Sequence, residues 1–211
     1  IDWTMILQPG DPYLAKVRNS IATRGLADFP RMTHLFFIDA DLGWDPDAAL
    51  RMVQSGHDVC AGVYPKKALP PEFPCELRLD TEKNNQLIER DGWCLANAVP
   101  TGFLCIKRRV LEKMAVGRGV YRDLDGKEKY NIFQQGFHPA EDGSGVGQWW
   151  GEDYAFCRQW NEMGGEIWVW PDIAFSHTGV KAYVNNFGAS VQAFREGRAI
   201  TRDAKPLPIK A

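Results

Sequence analysis

Leu35-Phe36-Phe37-Ile38-Asp39-Ala40-Asp41 joins four apolar residues directly to two carboxylates. With His34 in front, the run predicts a short β-strand over His34 to Ile38, of the continuous apolar kind buried in a parallel sheet. In an open α/β sheet, ligands bind beyond the carboxyl ends of the strands. Two carboxylates one residue apart at such an end can reach a common small volume. Hard divalent cations prefer oxygen ligands and share their shell with substrate phosphates. Asp39 and Asp41 therefore point to a metal that bridges to a diphosphate and stabilises charge on a leaving group. The plainer reading is a turn, since Asp is common in turns and Asp45 suits a helix cap.

Working outward, Asp45-Pro46 reads as a helix start, with Asp at the N-cap and Pro at the first helical position. Ala49, Leu50 and Val53 supply its expected apolar face, and Gly56 its stop. Asp58 to Tyr64 and Thr101 to Lys107 read as strands, Arg109 to Ala115 as a helix, and Ala68 to Pro74, with three prolines, as a loop. A hairpin is expected around Lys83-Asn84-Asn85. Upstream, Trp3 to Leu7 reads as a first strand, ended by Pro9-Gly10-Asp11-Pro12. Leu14 to Arg24 reads as a helix with Leu14, Val17 and Ile21 on one face. Tyr121 to Trp150 reads mostly as loop, with Pro139 to Gly147 mobile. A helix returns after Gly151 through Phe156, Cys157 and Trp160, stopping at Gly164-Gly165. Ile167 to Trp170 and Ile173 to Phe175 read as short strands. The alternation predicts an α/β domain, with a mixed, mainly parallel sheet flanked by helices, over residues 1–190. A basic C-terminal segment occupies 191–211.

The second acidic group is Trp149-Trp150-Gly151-Glu152-Asp153. Carboxylates opening a helix favour its positive end, so capping alone explains them. The functional reading is a general base that takes the proton of an attacking hydroxyl; either Glu152 or Asp153 fits. His177 follows an apolar strand in Phe175-Ser176-His177-Thr178-Gly179. A lone His is usually structural, but a third group at a strand end suits a metal ligand, and neutral imidazole suits Mn²⁺ better than Mg²⁺. His34, His57 and His138 lack that setting. Gly143, Gly145 and Gly147 precede the two tryptophans, so Trp149 and Trp150 read either as core or as a flat, closing surface for a sugar.

The chain has 211 residues, a formal net charge of −2 and 45% apolar residues. That composition fits one globular domain and gives no bulk preference for a polyanion. Basic residues cluster locally at Lys107, Arg108, Arg109, Lys113, Arg118 and Arg122, and again at Arg195, Arg198, Arg202 and Lys205. They read as solvated faces or as contacts to an anionic acceptor. Five cysteines with no CxxC spacing argue against a zinc site or a disulfide framework and fit a reducing, cytoplasmic setting. No apolar run reaches the roughly 18 residues of a membrane span, and no signal peptide is visible.

The ordered set resembles the GT-A type glycosyltransferases. Phe36-Phe37-Ile38-Asp39-Ala40-Asp41 is similar to their DxD motif, Trp150-Gly151-Glu152-Asp153 to their later acidic motif, and His177 to their late metal-binding histidine. Arg18-Asn19, Ala61-Gly62-Val63-Tyr64-Pro65-Lys66-Lys67 and Pro100-Thr101-Gly102-Phe103-Leu104 are similar to segments of small bacterial and phage members. The resemblance spans roughly residues 14 to 180. It implies a Rossmann-like GT-A fold, a nucleotide diphosphate sugar as donor, and Mn²⁺ or Mg²⁺ held by Asp41 and His177. Asp39 would then hold the ribose or donor sugar, directly or through water, or join the metal. Arg18, Lys66, Gly102, Trp149 and Trp150 are the expected donor-side residues, with Asp153 or Glu152 as base. The family's base-binding strand and loop have little sequence to occupy before Arg18-Asn19; that element is either absent here or shortened to residues 1–13. The acceptor stays open: a glycan, a lipid-linked sugar, a protein side chain, or a hydroxymethylated base in phage DNA.

Three rival readings remain. A phosphatase of the haloacid dehalogenase class would use Asp39 as nucleophile, but expects Thr or Val where Gly43 stands. A nucleotidyltransferase with a related sheet would begin with a Gly-rich phosphate loop, which is missing. A non-catalytic module would bind a nucleotide or glycan only.

Overall fold

The computed structural model describes residues 1–8, 11–140, 145–179 and 182–197, with 182–185 as backbone only. In chain order the elements begin with α1 (Leu14–Asp28), β1 (His34–Ile38), β2 (Leu42–Gly43), α2 (Pro46–Gln54) and β3 (Val59–Ala61). Next come β4 (Glu76–Leu77), β5 (Leu79–Asp80), β6 (Gln86–Leu87), β7 (Glu89–Arg90), β8 (Trp93–Ala98) and β9 (Phe103–Lys107). Then follow α3 (Arg108–Arg118), β10 (Val120–Arg122), β11 (Glu128–Tyr130), β12 (Gly136–His138), β13 (Gln148–Trp150) and α4 (Glu152–Glu162). The last are β14 (Ile167–Val169), β15 (Ala174–Thr178), β16 (Ala182–Asn186) and α5 (Phe187–Arg195).

The molecule is a mixed α/β domain around a seven-stranded sheet of order β1-β9-β3-β14-β8-β4, with β7 also on β8. Strand alternation divides the side chains between two cores. Leu35, Phe37, Val59, Ala61, Leu104, Ile106, Ile167 and Val169 face one side, under α1, α3, α4 and α5. Cys60, Leu95, Phe103, Cys105 and Trp168 face the other, under α2 and the small sheet β16-β15-β2. All five cysteines are free, and Cys60 and Cys105 are buried, as small core residues should be.

Several expectations are corrected. The sheet is not mainly parallel: among the described strands only β3 and β14 pair in parallel. Apolar runs record burial on both faces, not strand direction, and β9 returns antiparallel between β1 and β3. Trp3 to Leu7 is not a strand; Trp3 is 77% exposed, and a short apolar run that pairs with no neighbouring strand has nothing to bond to. The Tyr121–Trp150 stretch holds two hairpins, β10-β11 and β12-β13. The expected mobile stretch falls partly on 141–144, outside the described residues, as do Pro9 and Gly10 and the basic residues Arg198, Arg202 and Lys205. Helix α5 runs through the boundary expected at residue 190 and sends Phe187 and Val191 into the core.

Both helix faces expected near the N-terminus are shifted. The buried stripe of α1 is Ala15, Arg18, Asn19, Ala22 and Gly25, while Leu14 is 51% exposed. Small residues let this helix lie close on the sheet, and the two polar ones reach partners there. In α2, Ala48 and Met52 are buried, with Ala49 and Val53 half-buried and Leu50 exposed. The cap itself is as expected, with Asp45 Oδ1 accepting the Asp47 N–H at 3.0 Å. The hairpin at Lys83-Asn84-Asn85 is also present, with Asn84 and Asn85 in the left-handed region.

Candidate functional site

The antiparallel pairing of β1 with β9 sets the site. Ile38 opposes Phe103, so the end of β1 lies beside Gly102, whose carbonyl accepts the Asp39 N–H at 2.8 Å. A Cβ on Gly102 would collide with the Tyr64 hydroxyl and the Asp39 carboxylate. Glycine is required there for close approach, not for an unusual backbone angle. The Tyr64 ring is buried at the end of the segment after β3, and burial together with the Asp39 charge pushes its phenol pKa well up. It stays a neutral hydroxyl.

On its other side Asp39 meets α1. Arg18 Nη2 lies 3.7 Å from Asp39 Oδ1, and Arg18 Nε lies 3.5 Å from Glu152 Oε1. The Arg18 side chain is 6% exposed, yet its Nη1 has no partner among the described residues. A buried guanidinium spanning two carboxylates with one nitrogen unsatisfied is a donor in wait of a ligand oxygen or water. Thr101 Oγ1, next to Gly102 in the chain, is likewise buried and unpartnered. Asn19, the neighbour of Arg18, is bound elsewhere. Its amide accepts the Phe133 N–H at 2.7 Å and donates to the Phe133 carbonyl at 3.1 Å, pinning the segment before β12.

The Gly151-Glu152-Asp153 segment opens α4. Glu152 is buried, and burial raises its pKa; Arg18 pulls the other way without cancelling the effect. Asp153 is half-buried and uses Oδ1 to accept the Tyr154 N–H at 2.8 Å.

Asp41 faces a second group. Strand β15 pairs antiparallel with β2, His177 opposite Leu42, and the Asp41 carbonyl accepts the Thr178 N–H at 2.8 Å. That register brings His177 Nε2 to 3.3 Å from Asp41 Oδ2. His177 Nδ1 donates to the Pro65 carbonyl at 2.7 Å, which anchors the ring with Nε2 toward Asp41. Lys67 Nζ contacts the same Asp41 oxygen at 2.6 Å. Burial pushes the Asp41 carboxyl up, but the Lys67 hydrogen bond and the neighbouring positive charge outweigh it, so its pKa is lowered. Tyr64 links the two halves of the site, its ring edge-on to His177 at 5.0 Å.

The expected residues are thus partly gathered and partly dispersed. Asp39, Arg18, Gly102 and Glu152 form one group, and Asp41 with His177 another. The two aspartates do not converge on one volume: Asp39 turns to Arg18, Asp41 to His177 and Lys67. No cluster of three or more His, Cys, Asp or Glu side chains fit to hold a metal occurs among the described residues. Lys66 lies apart, paired with Glu72 at 3.0 Å. Trp150 is sandwiched between His138, at 3.8 Å, and the Arg158 guanidinium, at 4.4 Å. Trp149 is 71% exposed beside its cross-strand partner Phe137, so it is no core residue. Tyr64, Lys67 and the Pro65 carbonyl join the site without having been expected there. Their signals in the sequence are their place at the end of an apolar strand and the resemblance of the Ala61–Lys67 segment, neither of which gave Tyr64, Pro65 or Lys67 a role.

The local basic cluster is largely neutralised. Lys107 and Arg109 pair with Asp58, Arg108 with Glu112, and Arg122 with Glu128, while Lys113 donates to the Met163 carbonyl at 3.0 Å. Among the described residues no helix is long and apolar enough to cross a membrane.

No protein-family model matches this chain, and no curated protein matches it. Among solved structures the chain is similar to one titled "Crystal Structure of A197 from STIV", at 17% identity and a TM-score of 0.48. The alignment covers 80% of this chain and 69% of that one.

Proposed function

We propose that this protein is a metal-dependent glycosyltransferase of the GT-A type, moving a sugar from a nucleoside diphosphate donor to an acceptor hydroxyl. The observation that carries this reading is the convergence of Asp41 Oδ2 and His177 Nε2 at 3.3 Å, beside the end of β1. An anchored imidazole whose Nε2 faces a carboxylate oxygen would suit Mn²⁺, and the Lys67 ammonium on the same oxygen marks the place as one that attracts a cation. Asp41 and His177 would be its protein ligands, and a hard cation held by so few side chains would depend on oxygens of the donor diphosphate or water for the rest of its binding. The bound metal would supply Lewis-acid stabilisation of the departing diphosphate.

The other residues take roles by position. Asp39 holds a donor hydroxyl, fixed by Arg18 and by the close approach of Gly102. Arg18 Nη1 donates to a donor oxygen. Asp153, at the start of α4, takes the acceptor proton, while Glu152 is occupied in holding Arg18. Trp149 offers an exposed ring three residues before Glu152, where a sugar face can stack. Mn²⁺ is the expected metal over Mg²⁺ because of His177. The acceptor class is a hydroxyl on a glycan, a protein or a modified DNA base.

The decisive experiment is release of nucleoside diphosphate from a panel of nucleotide sugars, with Mn²⁺, with EDTA, and with Asp41→Ala. Release that needs both the metal and Asp41 supports the transferase. Folded protein that releases nothing from any donor, with or without candidate acceptors, favours the non-catalytic binding role.

A further inference from the structure

Lys66 and Lys67 are adjacent in the chain but lie in different settings. Lys66 is tied to Glu72, within the Ala68–Pro74 loop. Lys67 reaches back to Asp41, and among the described residues Asp41 is the one carboxylate within ion-pair distance of it. The contact, 2.6 Å, is to Oδ2, the same oxygen that faces His177 Nε2. We infer that Lys67 is an internal competitor for the divalent cation, so that tight metal binding becomes conditional on a diphosphate. This rests on the metal-site reading proposed above.

The reasoning is electrostatic. A dication bound at Asp41 Oδ2 and an ammonium hydrogen-bonded to that oxygen would lie within a few ångströms of each other and repel. Each therefore weakens the other's hold on Oδ2. With no anion present, the intramolecular ammonium has the advantage of proximity, and the metal must displace it. The Lys67 side chain is 38% exposed, so it can swing out without unpacking a core. The displaced ammonium then needs a new partner. A diphosphate taken up beside Asp41 and His177 would offer the ammonium that partner and add negative charge near the cation. The two ligands are thus coupled through one side chain, and by linkage each tightens the other.

The coupling is measured by titrating Mn²⁺ alone, and Mn²⁺ with inorganic pyrophosphate, into wild type, Lys67→Met and Lys66→Met, with free Mn²⁺ read by electron paramagnetic resonance. Methionine keeps the stem's bulk and removes the charge. The expected result is that Lys67→Met binds Mn²⁺ alone about tenfold tighter than wild type, and that pyrophosphate tightens Mn²⁺ less in it than in wild type. Lys66→Met should follow wild type, since its partner is Glu72. Equal Mn²⁺ affinity in wild type and Lys67→Met, or equal tightening by pyrophosphate, overturns the inference. Asp41→Ala separates the two levels. If Mn²⁺ binding is Asp41-dependent but indifferent to Lys67, the competitor is wrong and the metal site stands. If neither protein binds Mn²⁺, or binding ignores Asp41, the metal site itself is wrong and the inference goes with it.

Discussion

Arg18 Nε lies 3.5 Å from Glu152 Oε1, joining the middle of the first long helix to the first residue of α4 through a buried ion pair. Arg18 also reaches Asp39, so one guanidinium ties the carboxylate at the end of β1 to the acidic segment on the opposite side of the site. Removing one member of a buried pair leaves the other charge uncompensated, at a cost of up to about 3–5 kcal/mol. Arg18→Met should fall at the low end, near 3 kcal/mol, because both contacts are long and Glu152 can take up a proton. Urea denaturation measures this. Arg18→Lys should recover part of the stability but not donor turnover, since an ammonium cannot span both carboxylates.

Glu152 should make stability fall with rising pH. Its folded pKa is raised above the ordinary 4.5, chiefly by burial. The folded state therefore holds a proton that the unfolded chain has released. The contribution is full below 4.5 and is lost as pH rises through the raised value. Asp41 has the opposite sign, since its pKa is lowered from 3.8; its contribution is present above that value and lost on acidification. Unfolding free energy of wild type and Glu152→Gln, compared from pH 4 to pH 7, should show a flatter profile in the variant. Parallel profiles would rule the effect out.

Gly102 has no room for a methyl group, because a Cβ would meet the Tyr64 hydroxyl and the Asp39 carboxylate. Gly102→Ala should cost about 1–3 kcal/mol, the range for overpacking. It should also displace Asp39 and so abolish turnover, even at temperatures where the variant is folded. A variant with normal activity would remove Asp39 from the site.

If the proposed metal site is right, His177 sets its metal preference. His177→Asp replaces a nitrogen ligand with oxygen, which favours harder cations. Turnover supported by Mg²⁺ relative to Mn²⁺ should rise several-fold in this variant. An unchanged ratio would take His177 out of the coordination shell.

Trp149 is a surface residue in a hairpin, so Trp149→Ala should change stability by less than about 0.5 kcal/mol, the usual range for surface substitutions. If its ring covers the bound sugar, transfer should fall while hydrolysis of the donor by water rises. Thermal melting and product analysis check the two halves separately.

Much of the site is legible in the sequence because its chemistry is local in the chain. A carboxylate pair after an apolar run, an acidic pair at a helix start and a histidine after a strand are each readable without knowing where the chain turns. The faces of α1 and α2 are not readable from hydrophobic spacing. The buried side is built from Ala15, Arg18, Asn19 and Ala22 in one case and from Ala48 and Met52 in the other. Lys66 and Lys67 are equal in sequence, and only the path of the loop separates the lysine on Asp41 from the one on Glu72.

The sequence by itself determined the α/β class, the positions of β1, α2, β9 and α4, and the residue types at the site. These follow from periodicity, capping and turn chemistry, which act over a few residues. Only the tertiary structure decided the antiparallel return of β9 beside β1, the register that sets His177 against Asp41, and the separation of Asp39 from Asp41. Those depend on backbone hydrogen bonds and packing between segments far apart in the chain, whose energies no short stretch of sequence records.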